Sequence, residues 1–327
     1  MKIPVLHPSR CTAGLPEDLE KEYLIGEEKL DGSRYLLYIG CDPYERQKGN
    51  ALLSRRVSVT DEKHVDKTQN VPHITGLHYE GLEGTVLDSE IQSADFLSTN
   101  SIMNSSPALA IAKQNKIGLC TAWAFDVLYF RGVDVTARPL SERRKILETV
   151  VTRMGNAHVK CIPQFKSGLE KRFKEIVAAG GEGIIVKDTR QAYGVGWAKM
   201  KKSYDVSCII SGFKPGKGKY ASGVGSIALS VFVGTDLVEI GFASGFDDKV
   251  RAAMSAKPHA YIGKVVDVYA QEIQKSQRSA KNPVGRLRHP TFYRFRDDIE
   301  SADCTSEKLL ADIATQAKSR RKREYAE

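Results

Sequence analysis

The stretch Tyr23-Leu24-Ile25-Gly26-Glu27-Glu28-Lys29-Leu30-Asp31-Gly32-Ser33-Arg34-Tyr35-Leu36-Leu37-Tyr38-Ile39 decides how the chain folds. Two β-rich runs flank Asp31-Gly32, a dipeptide that turns a chain sharply between strands. Lys29 therefore stands at a strand end beside a tight turn. On this stretch alone two readings stand: a solvated surface lysine, or a nucleophile whose neutral amine is made available by nearby cations and partial burial. Gly32, with no Cβ, permits close backbone approach, and Arg34 offers a planar fork suited to phosphate.

Working outward, β-type runs recur at 51–59, 85–91, 122–130 and 183–187. Helical periodicity appears at 141–153, with Ser141 as the expected N-cap, and at 168–179, where Leu169, Phe173, Ile176 and Val177 share a face. Regular βαβ alternation is lacking, so the class is α+β. Beyond Asp205 short strands at 206–213, 226–233, 237–242 and 264–273 are split by Gly-rich loops, which suggests a small β-barrel. From Thr305 a helical pattern with Leu309, Leu310, Ile313, Ala314 and Ala317 on one face leads into the basic run Lys318 to Arg323. The expected division is 1–204, 205–302 and a helical basic tail at 303–327.

The chain has 327 residues, 41% apolar and 27% charged, which suits a globular protein of two domains. A run of about 18 apolar residues, long enough to span a bilayer, does not occur, so no membrane partner is expected. The six cysteines are scattered without a CxxC pair, as for reduced thiols in a cytoplasmic compartment, or a nuclear one in a eukaryotic host. The net charge of +9 favours a polyanionic partner and says nothing about chemistry.

Four further elements follow Lys29-Leu30-Asp31-Gly32-Ser33-Arg34 in fixed order. Glu90 ends Leu87-Asp88-Ser89-Glu90, and Phe125-Asp126 opens the run to Phe130. Glu182-Gly183-Ile184-Ile185-Val186-Lys187 comes next, then Trp197-Ala198-Lys199-Met200-Lys201. With these in view the chain resembles the covalent nucleotidyltransferases, and among them the ATP-dependent DNA ligases, particularly the small two-domain forms of bacteriophages. That resemblance, from Ile25 to Asp298, implies an adenylylation domain of antiparallel sheets and helices joined to an OB-fold domain. It also implies a monomer that seals 5′-phosphate/3′-hydroxyl nicks in duplex DNA during replication, repair or recombination.

The resemblance carries roles onto the matching positions. Lys29 would attack the ATP α-phosphate, and Glu27 would accept a hydrogen bond from the adenine amino group. Phe125 and Ile184 would sandwich the base. Glu90 and Glu182 would hold a divalent cation, with Mg²⁺ suited to hard oxygen ligands and phosphates. Lys199 and Lys201 alternate onto one strand face and would neutralise charge on the α-phosphate; Lys187 has no settled role. Arg34 and Arg55, the latter chosen over its neighbour Arg56, match arginines near the nick 5′-phosphate. In Thr291-Phe292-Tyr293-Arg294-Phe295-Arg296-Asp297-Asp298, Arg296 and then Arg294 match residues that orient the leaving pyrophosphate.

Two positions depart from the family pattern. Ser89 replaces a turn glycine, and Ile299 stands where a lysine is usual. No large DNA-clamping domain is expected ahead of Lys29. The rival readings are an mRNA-capping guanylyltransferase, an RNA ligase and a non-catalytic nucleic-acid-binding protein. Glu27 opposes the first, the β-rich second domain the second, and the intact set of charged residues the third.

Overall fold

The computed structural model describes residues 3–46, 48–274, 278–280 and 282–324; the side chains of Lys219 and of the basic run Lys318 to Arg323 lie outside the described residues. Two compact units divide the chain, Met1–Met200 and Lys201–Glu327.

In the first unit the opening stretch forms strands β1 (Leu24–Glu28) and β2 (Ser33–Ile39), which go to different sheets. The expected tight hairpin between them is absent, and Asp31-Gly32 is the crossover from one sheet to the other. Strand β2 is central in a seven-stranded sheet, antiparallel to β3 (Ala51–Val57) on one side and β5 (Thr85–Gln92) on the other. Strand β6 (Thr121–Phe130) continues the sheet beyond β5. The run from Tyr35 to Ile39 is wholly buried because both faces are covered: Tyr35, Leu37 and Ile39 enter the main core, and Leu36 and Tyr38 pack with Ile3 and Leu128. Strand β1 lies in a four-stranded sheet between β10 (Gly183–Asp188) and the short β9 (Gln164–Phe165), with β11 (Ala198–Lys201) beyond β10.

Helix α4 (Leu140–Met154) packs on β6 and ends at Gly155, whose left-handed φ of 58° suits glycine. Its N-cap is Pro139, and Ser141 does not cap it. The N–H groups of Leu140 and Ser141 instead reach the carbonyls of Gln191 and Thr189, so a tertiary loop does the capping. Sequence reading also misses α2 (Phe96–Met103) and α3 (Pro107–Ile117). Their Ser- and Asn-rich junction has low helix propensity, and the turns hold through the Asp95 cap on Ser98 and Pro107 at the first turn.

The second unit is built on a five-stranded antiparallel sheet, in the order Asp236–Ala243, Val224–Val233, Tyr204–Pro215, Val265–Ala270 and Thr291–Arg296. Its two edges meet where Ser244 bridges Thr291 and accepts a hydrogen bond from Phe292 N at 2.8 Å. The helix Ser306–Glu324 is more than an appended tail. Leu309 and Ile313 enter the sheet's core, and the Gln316 amide exchanges two hydrogen bonds with the Asp205 backbone. Ile299, the unmatched position, packs with Ile209, Val265 and Cys304, an apolar setting in which a lysine would lose its hydration.

One buried ion pair ties the first unit together. Arg143 on α4 and Asp126 on β6 are both fully buried and joined at 2.8 and 2.9 Å, while Arg143 also donates to the Arg138 and Gln191 carbonyls. Removing the arginine leaves an unpaired buried carboxylate, so Arg143→Met should cost about 3–5 kcal/mol. Both tryptophans lie in this unit, so their fluorescence during urea unfolding reports on it alone. A midpoint equal to the parent's would show that the pair is not a brace; Asp126→Leu added to Arg143→Met should recover part of the loss.

Candidate active site

Antiparallel pairing of β1 with β10 builds the site. The register sets Ile25 opposite Lys187 and Glu27 opposite Ile185. Because side chains alternate across a strand, Glu27, Ile185 and Lys187 point to one face. The Lys29 N–H donates to Gly183 O at 2.9 Å and extends that pairing to Lys29 itself. On this face lies a cavity of about 950 Å³, lined among others by Glu27, Lys29, Arg34, Glu90, Phe125 and Lys199.

Lys29 hydrogen-bonds through Nζ to Glu182 Oε2. Its charged neighbour is thus a carboxylate, where sequence reading expects cations. Gly32 packs where any Cβ would lie 2.5 Å from Ile91 O and 2.8 Å from Glu90 Cγ, so the glycine is required by close approach to β5. The Glu90 side chain, unlike its backbone, has no hydrogen bond among the described residues. Burial pushes its carboxyl up to about 8, against the opposing pull of Lys29 and Arg34, with Asp88 and Glu182 adding to the rise. A half-buried carboxylate with no hydrogen-bond donor suits a cation. Among the described residues no group of three or more acidic, His or Cys side chains is placed to hold a metal ion.

At the other end of the cavity, Glu27 is 1% exposed. Its carboxylate meets Lys187 Nζ at 2.6 Å and accepts from Gln164 Nε2 at 2.7 Å. Lys187, as deeply buried, sits 4.9 Å from the Phe125 ring centroid and 4.3 Å from that of Trp197. Buried carboxylate, ammonium and rings thus form one polar edge against an aromatic wall.

One expected assignment needs correction. Ile184 does not face the cavity; it is buried with Leu24, Leu169 and Val186 beneath the sheet, and Ile185 lines the cavity in its place. The parity was available in the sequence, since Lys187 shares a face with Ile185. Arg34 lines the cavity with its fork already engaged: it is bidentate to fully buried Asp88 at 2.9 and 2.6 Å, with further bonds to Ser9 O and Tyr193 Oη. Its guanidinium lies 5.1 Å from the Phe125 centroid and braces the cavity wall. The Tyr193 hydroxyl completes that network by donating to Asp88.

The remaining predicted residues fall as follows. Arg55 and Arg56 are exposed and both line the cavity, as does Lys199. Lys201 ends the same strand, outside the lining. Ser89, in place of the family glycine, faces the core side and donates to Tyr35 O at 3.1 Å, a setting that accepts a small hydroxyl. Arg294 and Arg296 belong to the second unit, where both bond Asp267. Sequence reasoning missed Asp88, Tyr193, Trp197 and Lys67 as cavity or bracing residues, because each acts through partners distant in sequence.

Known proteins resemble this chain in sequence and fold. The chain is 24% identical over 336 residues to "DNA ligase 2" of Korarchaeum cryptofilum, and 25% identical over 342 residues to "DNA ligase" of Saccharolobus solfataricus. Each match takes in 89% of this chain and 55% of the relative, so the chain spans about half the length of the curated relatives it matches. Among solved structures, one described as "DNA binding with a minimal scaffold: Structure-function analysis of Lig E DNA ligases" superposes with a TM-score of 0.60 at 20% identity, covering 89% of this chain and all of that one. Another, "Pmar-Lig_Pre.", gives a TM-score of 0.61 at 22% identity over 84% of this chain and 63% of that one. At these identities the structural likeness speaks for the fold. The family model described as "ATP dependent DNA ligase domain" matches residues 9–203, more than half of the chain, and the protein therefore belongs to the ATP-dependent DNA ligase domain family.

Proposed function

We propose that this protein is an ATP-dependent DNA ligase that adenylylates itself on Lys29 and passes the AMP to a nick in duplex DNA. The observation that carries the reading is that one cavity holds both a lysine kept on Glu182 and a base-reading edge made of Glu27 and Lys187. Adenine presents an amino donor beside a ring-nitrogen acceptor, which complements a carboxylate beside an ammonium. Guanine presents the reverse order, so its carbonyl would face Glu27 and its ring N–H would face Lys187. This favours ATP over GTP and weighs against a capping enzyme.

In the first step Lys29 gives up a proton, for which Glu182 is the neighbouring acceptor, and its Nζ bonds the α-phosphorus as the bond to pyrophosphate breaks. Phe125 and Ile185 hold the base, and Lys199 offsets charge on the phosphate. A divalent cation, with Mg²⁺ the fitting choice, would be held by Glu90 and Glu182 and would supply charge neutralisation on the phosphates. In the second step the nick 5′-phosphate takes the AMP from Lys29, and in the third the 3′-hydroxyl displaces AMP to close the strand. The exposed Arg55 and Arg56 are assigned to the nick phosphate, and Arg294 and Arg296 to the leaving pyrophosphate. We read the second unit as an OB-type barrel, supported by its five antiparallel strands and the bridge between their edges. No helix among the described residues is long and apolar enough to cross a membrane. The enzyme is read as a monomer whose partner is nicked duplex DNA.

With α-labelled ATP and Mg²⁺ the protein should acquire covalent label and seal nicked DNA, and Lys29→Ala should do neither. Sealing by that variant would end the proposal, and label taken from GTP alone would replace it with a guanylyltransferase. Lys187→Met should slow labelling from ATP and reduce discrimination against GTP by about tenfold or more, as expected when a base edge loses its hydrogen-bonding partner. Unchanged discrimination would remove Lys187 from base reading.

Glu90 makes a separate prediction. Its folded-state pKa of about 8 stands above the ordinary 4.5, so the folded chain retains a proton that the unfolded chain has released. Stability at this position therefore falls as pH rises from about 4.5 to about 8. Glu90→Gln stays neutral throughout. In metal-free buffer it should match the parent at pH near 4.5 and exceed it by on the order of a few kcal/mol above pH 8. A parent and variant of equal urea midpoint at both pH values would show that Glu90 is not strained.

A further inference from the structure

The second unit contains a charge cluster centred on a residue that the reaction does not use directly. Asp267, on the strand Val265–Ala270, is 1% exposed. Its Oδ2 accepts from Arg294 Nε at 2.8 Å and from Arg296 Nη1 at 2.9 Å, and its Oδ1 accepts from Arg296 Nη1 at 3.1 Å and from Ser207 Oγ at 2.7 Å. Three adjacent strands converge on this one carboxylate, since Ser207 and Arg294 are its cross-strand partners on either side. Burial would raise the Asp267 carboxyl, but the hydrogen bonds from Ser207, Arg294 and Arg296 outweigh it and hold the group below its ordinary range. It is therefore an anion wherever the arginines are present.

The arrangement has a mechanical consequence. Arg294 and Arg296 are like charges on neighbouring positions of one strand, which repel and would otherwise spread over many rotamers. A buried anion bonded to both cancels the repulsion and sets their direction. Arg296 is further fixed by a bidentate pair with Asp298 at 2.7 Å on each arm. Donors that stabilise a developing charge act best when oriented before that charge appears.

We propose that Asp267 is a positioning residue for the first step, presetting Arg294 and Arg296 as a fixed pair that meets the leaving pyrophosphate. This rests on the reading that the two arginines act on pyrophosphate. Asp267 touches neither ATP nor DNA; its effect passes through the arginines, and only where pyrophosphate departs.

The test compares two reactions of the full-length chain with Mg²⁺: self-adenylylation from labelled ATP, and sealing of a nick that already carries a 5′-adenylate. Asp267→Asn keeps the shape and loses the charge. It should slow self-adenylylation by about tenfold to a hundredfold while sealing of the pre-adenylylated nick stays within about twofold. Asp267→Glu, which restores the charge, should recover part of the first rate. Arg296→Ala should reproduce the same split. If Arg296→Ala adenylylates normally, the arginines do not serve pyrophosphate and the underlying reading fails. If Arg296→Ala is slow but Asp267→Asn is normal, the arginines act without the clamp and Asp267 has no positioning role. Faster adenylylation by Asp267→Asn would show that the carboxylate holds the arginines away from their task. Loss of both reactions would reduce Asp267 to a brace of the fold.

Discussion

The pairing of Leu24–Glu28 with Gly183–Asp188 is the constraint on which the site depends. These segments are more than 150 residues apart in the chain, yet their register fixes three side chains at once. With Glu27 opposite Ile185, the two-residue repeat of a strand places Lys187 beside Glu27 and extends to Lys29 through its N–H on Gly183. A slip of one residue would turn Glu27 and Lys187 to opposite faces of the sheet and send one of them into the apolar layer of Leu24, Ile184 and Val186, where its charge would not be solvated. The apolar side therefore enforces the polar side. Glu27 meets Lys187 because the hydrophobic face tolerates no other register.

Buried charge pairs recur around this frame: Glu27 with Lys187, Arg34 with Asp88, Arg143 with Asp126, and Asp267 with two arginines in the second unit. Such pairs contribute little net stability, because desolvation offsets much of their attraction, but losing one partner is costly. Their value here is geometric. Each holds a long side chain in one orientation. Arg34 shows the consequence for function: its fork, suited in principle to phosphate, is occupied by Asp88 and becomes part of the wall behind Phe125. Glu90 is the contrasting case, a carboxylate whose side chain has no hydrogen bond among the described residues and whose pKa is raised by burial.

Much of the architecture is legible before any coordinates. The strands around Lys29, the helix α4 and the short strands after Asp205 follow from apolar periodicity, since a half-buried element must repeat its apolar residues at its own pitch. What escaped was set by partners remote in sequence. The cap of α4 is a pair of loop carbonyls where Ser141 was expected to serve, and α2 forms from a stretch rich in Ser, Thr and Asn, with Thr99, Ile102 and Met103 buried. Asp31-Gly32 carried a turn signal that is real, but the chain leaves it into a different sheet.

By itself the sequence determined the chemical inventory and its order: Lys29 at a strand end, the carboxylates Glu27, Glu90 and Glu182, the Phe125 ring and the alternating Lys199 and Lys201. Residue type and spacing are local properties, and local geometry follows from them. Only the tertiary structure decided which of these groups face one another. It put Ile185 in the cavity and Ile184 in the core, gave Lys29 a carboxylate for a neighbour, made Lys187 the partner of Glu27, and committed Arg34 to Asp88. Those outcomes depend on strand register and burial, which are settled by the packing of the whole unit and not by any stretch of chain alone.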